Sequence, residues 1–143
     1  MKAITIKQPW ATLIALGEKR FETRSWQTKY RGQIAIHAGK SVDKDACNDS
    51  WIKGVLKEHK IESYKDLPTG VVIAMAEIAD CHKVLNFCNQ VATTTGPNIS
   101  GLEIKFGDYT EGRYAWELLN VNMLSEPIQA KGKLSLWEWD GKL

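Results

Sequence analysis

The stretch from residue 71 to residue 81 constrains the fold more than any other part of the sequence. It reads Val-Val-Ile-Ala-Met-Ala-Glu-Ile-Ala-Asp-Cys, so both alternating sets of positions are mostly apolar and Glu77 interrupts the run. A strand with this pattern is covered on both faces, and we therefore expect it to lie in the centre of a sheet. The turn-forming sequence Leu-Pro-Thr-Gly at 67–70 marks the point where it begins.

Shorter segments that alternate with period two surround this strand, whereas helical patterns are few. Trp10 to Leu16 predicts a short helix that ends at Gly17, and 41–60 predicts a long helix with Trp51 on its core face. Strands and helices do not alternate regularly along the chain. We therefore predict an α+β fold, a small, mostly antiparallel β-barrel with flanking helices, in a single domain covering 1–143. Further strands are expected at 2–6, 20–26, 33–38, 114–119, 121–124 and 134–139, and an irregular stretch at 83–101.

Composition excludes several classes of function. The net charge of +2 is too small to indicate a nucleic-acid binder by bulk charge, although a local cluster of cations still can. No apolar run approaches the ~20 residues that a membrane span needs, so we expect no membrane partner. Three cysteines without paired spacing, and no signal peptide at the start, favour free thiols in a reducing cytoplasm.

Neither a metal nor a cofactor is expected. The three histidines, His37, His59 and His82, fall in separate predicted elements, and the Cys81-His82 pair lacks further ligands at a suitable spacing. The glycines lack the spacing of a phosphate-binding loop. We expect a monomer or a weak dimer.

One predicted strand face carries a set of groups suited to a flat ligand. Period two places Glu22, Arg24 and Trp26 on the same side of the strand. A carboxylate accepts from exocyclic amines, a guanidinium donates to carbonyl or phosphate oxygens, and an indole stacks. The alternative is an ion pair on a solvated face, which contributes little.

Two junctions next to this strand add further candidates. Lys7, Gln8 and Trp10 lie where the first strand meets the first helix, and the free amides of a helix start favour an anion there. Lys19 follows Gly17 at the other end of that helix. It either caps the helix C-terminus or contributes to a ligand site.

The remaining candidates have two interpretations each. Glu77, in its apolar setting, either pairs with a cation such as Lys19 or Arg24 or serves as a general acid or base. Tyr114 and Trp116 share a strand face that is either barrel interior or a stacking platform. Trp137 is expected in the core, as is Trp51.

The order and spacing of several motifs resemble the ASCH domain, a family with the PUA-like fold named for its homology to an activating signal cointegrator. The motifs are Ile6-Lys7-Gln8-Pro9-Trp10, Gly17-Glu18-Lys19, Glu22-Thr23-Arg24, Trp26, Tyr30-Arg31-Gly32, Ile36-His37-Ala38, Leu67-Pro68-Thr69-Gly70, Asp80-Cys81, Gly112-Arg113-Tyr114-Ala115-Trp116, and Pro127 to Trp137 with Gly132. The resemblance extends from about residue 3 to residue 139.

This resemblance implies a β-barrel with a cleft that binds RNA, a nucleotide or a modified nucleoside. Carried over position by position, it implies a group of cleft residues, with His37 nearby and two aromatic residues on a facing strand. These residues are Lys7, Gln8, Trp10, Lys19, Glu22, Arg24, Trp26, His37, Tyr114 and Trp116.

The resemblance also implies a catalytic alternative. One branch of the family is an amidohydrolase that deacetylates acetylated cytidine with a Lys, a Thr and a Glu, and other members are ribonucleases. Lys19 matches the Lys, Glu22 stands where that branch has Thr, and Glu77 is the candidate for the downstream Glu. The catalytic candidates are therefore Lys19, Glu22 and Glu77, and the sequence leaves open whether the chain is an enzyme.

A third interpretation is a protein-interaction module. Trp137 and Trp139 lie two residues apart on the last predicted strand. If both side chains faced solvent, they would form an apolar patch for a partner.

Overall fold

The computed structural model describes residues 1–141. It contains seven strands, four α-helices and one 3₁₀ turn within that range. They are β1 (Lys2–Gln8), α1 (Trp10–Ala15), β2 (Phe21–Arg24), β3 (Gly32–Val42), α2 (Lys44–Asn48), α3 (Ser50–Glu58), the 3₁₀ turn (Tyr64–Asp66), β4 (Val71–Cys88), β5 (Val91–Thr94), α4 (Leu102–Lys105), β6 (Tyr114–Gln129) and β7 (Leu136–Glu138).

The strands form one mixed sheet in the order β2-β6-β4-β3-β1-β7, with β5 paired to β4. Only β1 and β3 run parallel among the pairings described, so the prediction of a mostly antiparallel α+β fold is confirmed. Backbone pairing within residues 1–141 leaves the sheet open between its outer strands β2 and β7. Closure into a barrel stays a prediction.

The apolar segment that begins at Val71 is the central strand of this sheet. One edge of β4 pairs with β3, where Ala76 faces Ile34, and the other edge pairs with β6, where Ile78 faces Leu118. The strand is longer than predicted, because it continues beyond Cys81 into a hairpin with β5. The prediction of an irregular stretch at 83–101 is therefore wrong for its first half.

The long helix predicted at 41–60 is wrong. β3 extends to Val42, and the rest divides into α2 and α3 at Asp49. Asp49 has extended backbone angles, and its carboxylate accepts from the amides of Trp51 (2.9 Å) and Ile52 (3.2 Å). Asp prefers this N-cap position over a helix interior, so the helix restarts here. As a result the Trp51 side chain is 56% exposed instead of in the core.

Helix α1 joins two layers of the core. Leu13 packs with α3 and Phe106, whereas Ile14 packs with the sheet, and both side chains are fully buried. The helix ends at Gly17, whose φ of +81° is a conformation that glycine adopts without strain. The amide of Lys19 then donates back to the carbonyl of Leu13, at 3.0 Å, so the chain turns inward at this point.

The last strand does not present an aromatic patch. Trp137 and Trp139 are 7% and 5% exposed, and they pack with Ala3, Val72 and Met75. Burial of Trp137 confirms the core prediction for that residue. The prediction of an exposed Trp137/Trp139 surface, which an interaction module would need, is wrong.

None of the helices found in residues 1–141 combines the length and the apolar character that crossing a membrane would take.

Replacement of Asp49 by alanine tests the helix break. We expect Asp49→Ala to lower the free energy of unfolding by about 1 kcal/mol, because two amides at the start of α3 lose their acceptor. Urea unfolding measures the difference. Glu58→Ala at the exposed end of the same helix is the control and should change stability by less than about 0.5 kcal/mol. Equal effects of the two substitutions would contradict the cap.

Candidate functional site

A cleft of about 730 Å³ opens where β1, β2, the C-terminal half of β3 and the 106–113 segment meet. It contains a large part of the residues that the sequence singled out. Lining residues from the predicted ligand and catalytic set are Lys7, Trp10, Lys19, Glu22 and Arg24.

Lys19 lies at the floor of this cleft. Its side chain is 1% exposed, and Nζ donates to the carbonyls of Phe21 (2.6 Å) and Phe106 (2.5 Å). The ammonium is 3.7 Å from the nearer oxygen of Glu22. Burial lowers the pKa of Lys19, and the negative charges of Glu22 and Glu103 act against that shift. Both carbonyl acceptors of Nζ lie outside α1, so the alternative that the Lys19 side chain caps the C-terminus of this helix is wrong.

Glu22 and Arg24 form the wall above Lys19. They lie two residues apart on β2, as period two predicts, and Arg24 Nε donates to Glu22 Oε2 at 2.9 Å. Arg24 Nη2 also donates to the carbonyl of Thr5 on β1, at 3.0 Å. The Glu22 side chain is only 10% exposed, so this ion pair belongs to the cleft and not to a solvated surface.

The aromatic candidates divide between the cleft and the core. Trp10 lines the cleft, with the Lys19 ammonium 5.9 Å from the centre of its ring. Trp26 follows the end of β2, and its ring packs edge-on against Trp116 with a centroid distance of 4.8 Å. Trp116 is 1% exposed and Tyr114 is half-buried against the same core. Neither residue, nor Trp26, is among the side chains that line the cleft.

Gln8 and His37 are buried and bonded within the protein. The Gln8 amide accepts from the Thr12 amide (2.9 Å) and donates to the Pro68 carbonyl (2.7 Å), which holds α1 against β1. His37 is 2% exposed, with Nδ1 3.1 Å from the Thr5 hydroxyl and Nε2 2.8 Å from the Ala130 carbonyl. His37 lines a second cavity next to the cleft. Gln8 lines neither the cleft nor that second cavity.

Glu77 lies away from this group. Its carboxylate accepts from the amide of Asn120 at 2.9 Å, and the residue is only half-buried. The ion pair predicted between Glu77 and Lys19 or Arg24 is wrong, because both cations pair with Glu22. Glu77 is not among the lining residues of the cleft, and nothing in its surroundings supports the catalytic role for which it was a candidate.

Sequence reasoning missed Glu103 and Tyr109, which do not line the cleft but interact electrostatically with its residues, Glu103 with Lys19 and Tyr109 with Glu22. The Glu103 side chain is 7% exposed, and Oε1 accepts from the Arg20 amide at 2.6 Å. Burial raises the pKa of Glu103. Within residues 1–141, Glu103 Oε2 and the Tyr109 hydroxyl have no hydrogen-bond partner. Glu103 lies on a four-residue helix just after the stretch 83–101, where no helix or strand was predicted, so periodicity gave no signal for it.

Cations without buried partners surround the opening of the cleft. Lys7, Lys40 and Lys133 are exposed and line it, and the half-buried Arg113 lines it as well. The Arg113 guanidinium is partly occupied, since Nε donates to the Asp108 carbonyl at 3.0 Å. The floor therefore balances cations against carboxylates, whereas the rim has an excess of positive charge. Such a rim attracts an anionic ligand.

Comparisons with known proteins agree with the sequence motifs. A model of the ASCH domain family matches residues 4–128, which confirms the resemblance. The Homo sapiens and Mus musculus proteins named Activating signal cointegrator 1 are each 26% identical to the chain over 142 residues, which is 98% of the chain. The chain spans only 22% of the length of each of these relatives.

A solved structure agrees with the fold. The crystal structure of ASCH from Zymomonas mobilis superimposes with a TM-score of 0.55 and covers 97% of this chain and 87% of its own. The two sequences are 17% identical. The likeness therefore shows a shared fold.

Alkaline titration tests the burial of Tyr109. Desolvation raises the pKa of Tyr109 above its ordinary value of 10.0, and the charges of Glu103 and Glu22 raise it further. The folded protein holds this proton more tightly than the unfolded chain, so the stabilisation is lost as the pH rises above 10.0. Above pH 10.0, phenolate absorbance should show one more ionised tyrosine in the unfolded protein than in the folded protein. In Tyr109→Phe that difference should shrink by one tyrosine; an unchanged difference would contradict the buried hydroxyl.

Proposed function

Because the chain belongs to the ASCH domain family, we propose that it is a binding domain for RNA or a modified nucleoside, with one nucleotide held in the cleft. The observation that carries the proposal is the convergence of Lys19, Glu22 and Arg24 with Trp10 in one cavity. A volume of about 730 Å³ lies within the range of small-molecule sites in proteins.

Hydrogen-bonding capacity on the wall supports recognition of a base edge. An arginine has five N–H donors, and the bonds to Glu22 and Thr5 use two of those of Arg24. A carboxylate has about four acceptor positions, and Arg24 and Lys19 do not fill all of those of Glu22. Arg24 can therefore donate to a base carbonyl or a phosphate while Glu22 accepts from an exocyclic amine.

The rim supports the anionic part of the ligand. Lys7 on β1 and Lys40 on β3 are exposed cations that line the cleft. Within residues 1–141 neither forms an ion pair with a carboxylate. Contacts of lysines with phosphates supply affinity without base specificity, so the floor would select the base and the rim would hold the backbone.

Binding of cytidine monophosphate and of a short single-stranded RNA to the protein and to Arg24→Ala tests the proposal. We expect Arg24→Ala to weaken both ligands about tenfold or more, because a charged donor at a partly buried site is removed. Arg31→Ala removes an exposed arginine that pairs with Asp80 and lines neither cavity described here, and it should leave affinity unchanged. Isothermal titration calorimetry measures both. Equal affinity of Arg24→Ala and the unmodified protein would refute the cleft as the site.

A second function, hydrolysis of an acylated nucleoside such as acetylated cytidine, is favoured by one observation. Lys19 is a buried amine whose pKa is lowered by desolvation, and Glu22 lies beside it. In its neutral form such an amine could take a proton from the attacking water, and Glu22 could pass it to the leaving nitrogen. Against this, Nζ is committed to two carbonyls, and Glu22 stands where the amidohydrolase branch has threonine.

An assay with acetylated cytidine separates binding from hydrolysis. If the chain is a hydrolase, the unmodified protein releases acetate, and Glu22→Gln reduces kcat by about 100-fold or more while retaining side-chain volume. Thermal unfolding of the variant controls for misfolding. Binding of acetylated cytidine without any release of acetate would exclude the hydrolase for that substrate and leave the binding proposal intact.

A further inference from the structure

A second cavity of about 1150 Å³ adjoins the cleft. The two share part of their lining, and they are here called the two halves of the groove. The shared lining residues are Thr5, Gly39, Lys40, Lys133 and Leu134.

The two halves of the groove differ in charge. The cleft has Glu22 and Asp108 among its lining residues, together with its cations. The second cavity is lined by Lys40, Lys131 and Lys133 and, among the residues that the structure describes, by no Asp or Glu. All three lysines are exposed, and none forms an ion pair within residues 1–141. The second cavity therefore has an uncompensated positive charge suited to several anionic groups.

The segment 130–134, here called the strap, carries Lys131 and Lys133. Its backbone is pinned at Ala130, whose carbonyl is bonded to His37 Nε2 and whose amide donates to the Gly70 carbonyl at 3.1 Å. At Gly132 the strap lies so close to the sheet that a Cβ would be 2.5 Å from the Thr5 hydroxyl, so glycine is required. The backbone of the strap is thus held to the sheet while its lysine side chains remain exposed.

The strap also exposes a large apolar side chain between the two cavities. Leu134 is 92% exposed, and it lines both the cleft and the second cavity. A leucine that follows Lys131 and Lys133 can pack against the apolar face of a base or ribose while the ammonium groups contact phosphates. This combination fits a nucleic-acid strand better than it fits a small inorganic anion.

We propose that the second cavity holds the phosphodiester backbone of nucleotides adjacent to the one in the cleft, so that the ligand is single-stranded RNA longer than one nucleotide. The inference rests on the proposed function, since it takes the cleft as the site of one unstacked nucleotide. Leu134 packs against the strand at the junction, and Lys131 and Lys133 contact its phosphates. A duplex is excluded as the ligand because its bases remain stacked and cannot enter the cleft.

The test compares a mononucleotide with a pentanucleotide RNA over a range of salt concentrations. The pentanucleotide should bind more tightly, and its plot of log affinity against log salt should steepen by about 0.7 for each additional phosphate contacted. Lys131→Ala should weaken the pentanucleotide by about two- to fivefold and reduce that slope. The mononucleotide should be less affected, because Lys131 lines the second cavity and does not line the cleft. Lys57→Ala, on the exposed side of α3, is the matched control and should alter neither.

The outcomes separate this inference from the proposed function. If the mononucleotide binds, responds to Arg24→Ala and matches the pentanucleotide in affinity, the extended groove is overturned and the cleft stands. If only the pentanucleotide binds and only Lys131→Ala weakens it, the cleft is wrong as the nucleotide site and the second cavity stands as the site of the phosphates. If a polyglutamate peptide competes as well as RNA of equal charge, the groove is a general acidic-peptide site and the inference is overturned.

Discussion

The buried ammonium of Lys19 is the interaction on which the rest of the site depends. An ammonium that is 1% exposed requires several partners, and here they come from separate parts of the chain: the Phe21 carbonyl, the Phe106 carbonyl and the Glu22 carboxylate. These bonds fasten the start of β2 to the segment after α4. Loss of one partner from a buried ionic group costs about 3–5 kcal/mol. A change that disrupts the cleft floor therefore also destabilises the local fold.

The charges extend outward from this ammonium in an ordered sequence. Lys19 is opposed by Glu22 and Glu103, Glu22 is bonded to Arg24, and Arg24 reaches the carbonyl of Thr5 on β1. Each charged group is held by protein partners before any ligand arrives. Because the groups need little rearrangement on binding, their remaining donors and acceptors are available to a ligand at low entropic cost. The geometry is therefore suited to a ligand that has both hydrogen-bond donors and acceptors.

Sequence patterns predicted those site residues that lie on a regular strand. Period two placed Glu22 and Arg24 on one face, and the doubly apolar run at 71–81 identified the central strand.

Prediction failed where a tertiary contact decides the local structure. Asp49 breaks a helical pattern by accepting two amides, and Trp26 leaves the predicted face because β2 ends at Arg24. Glu103 has no periodic neighbours, and only the fold brings it close to Lys19.

The distribution of charge also bears on whether the site binds or catalyses. An amine that takes a proton from water must be neutral, and desolvation favours that form of Lys19. Two carbonyl acceptors and a carboxylate favour the ammonium, because a neutral amine keeps only two donors and its lone pair faces oxygen atoms. In the structure, these carbonyl and carboxylate acceptors occupy the N–H donors of Nζ. Lys19 therefore fits best as the fixed positive charge that holds Glu22, which in turn pairs with Arg24.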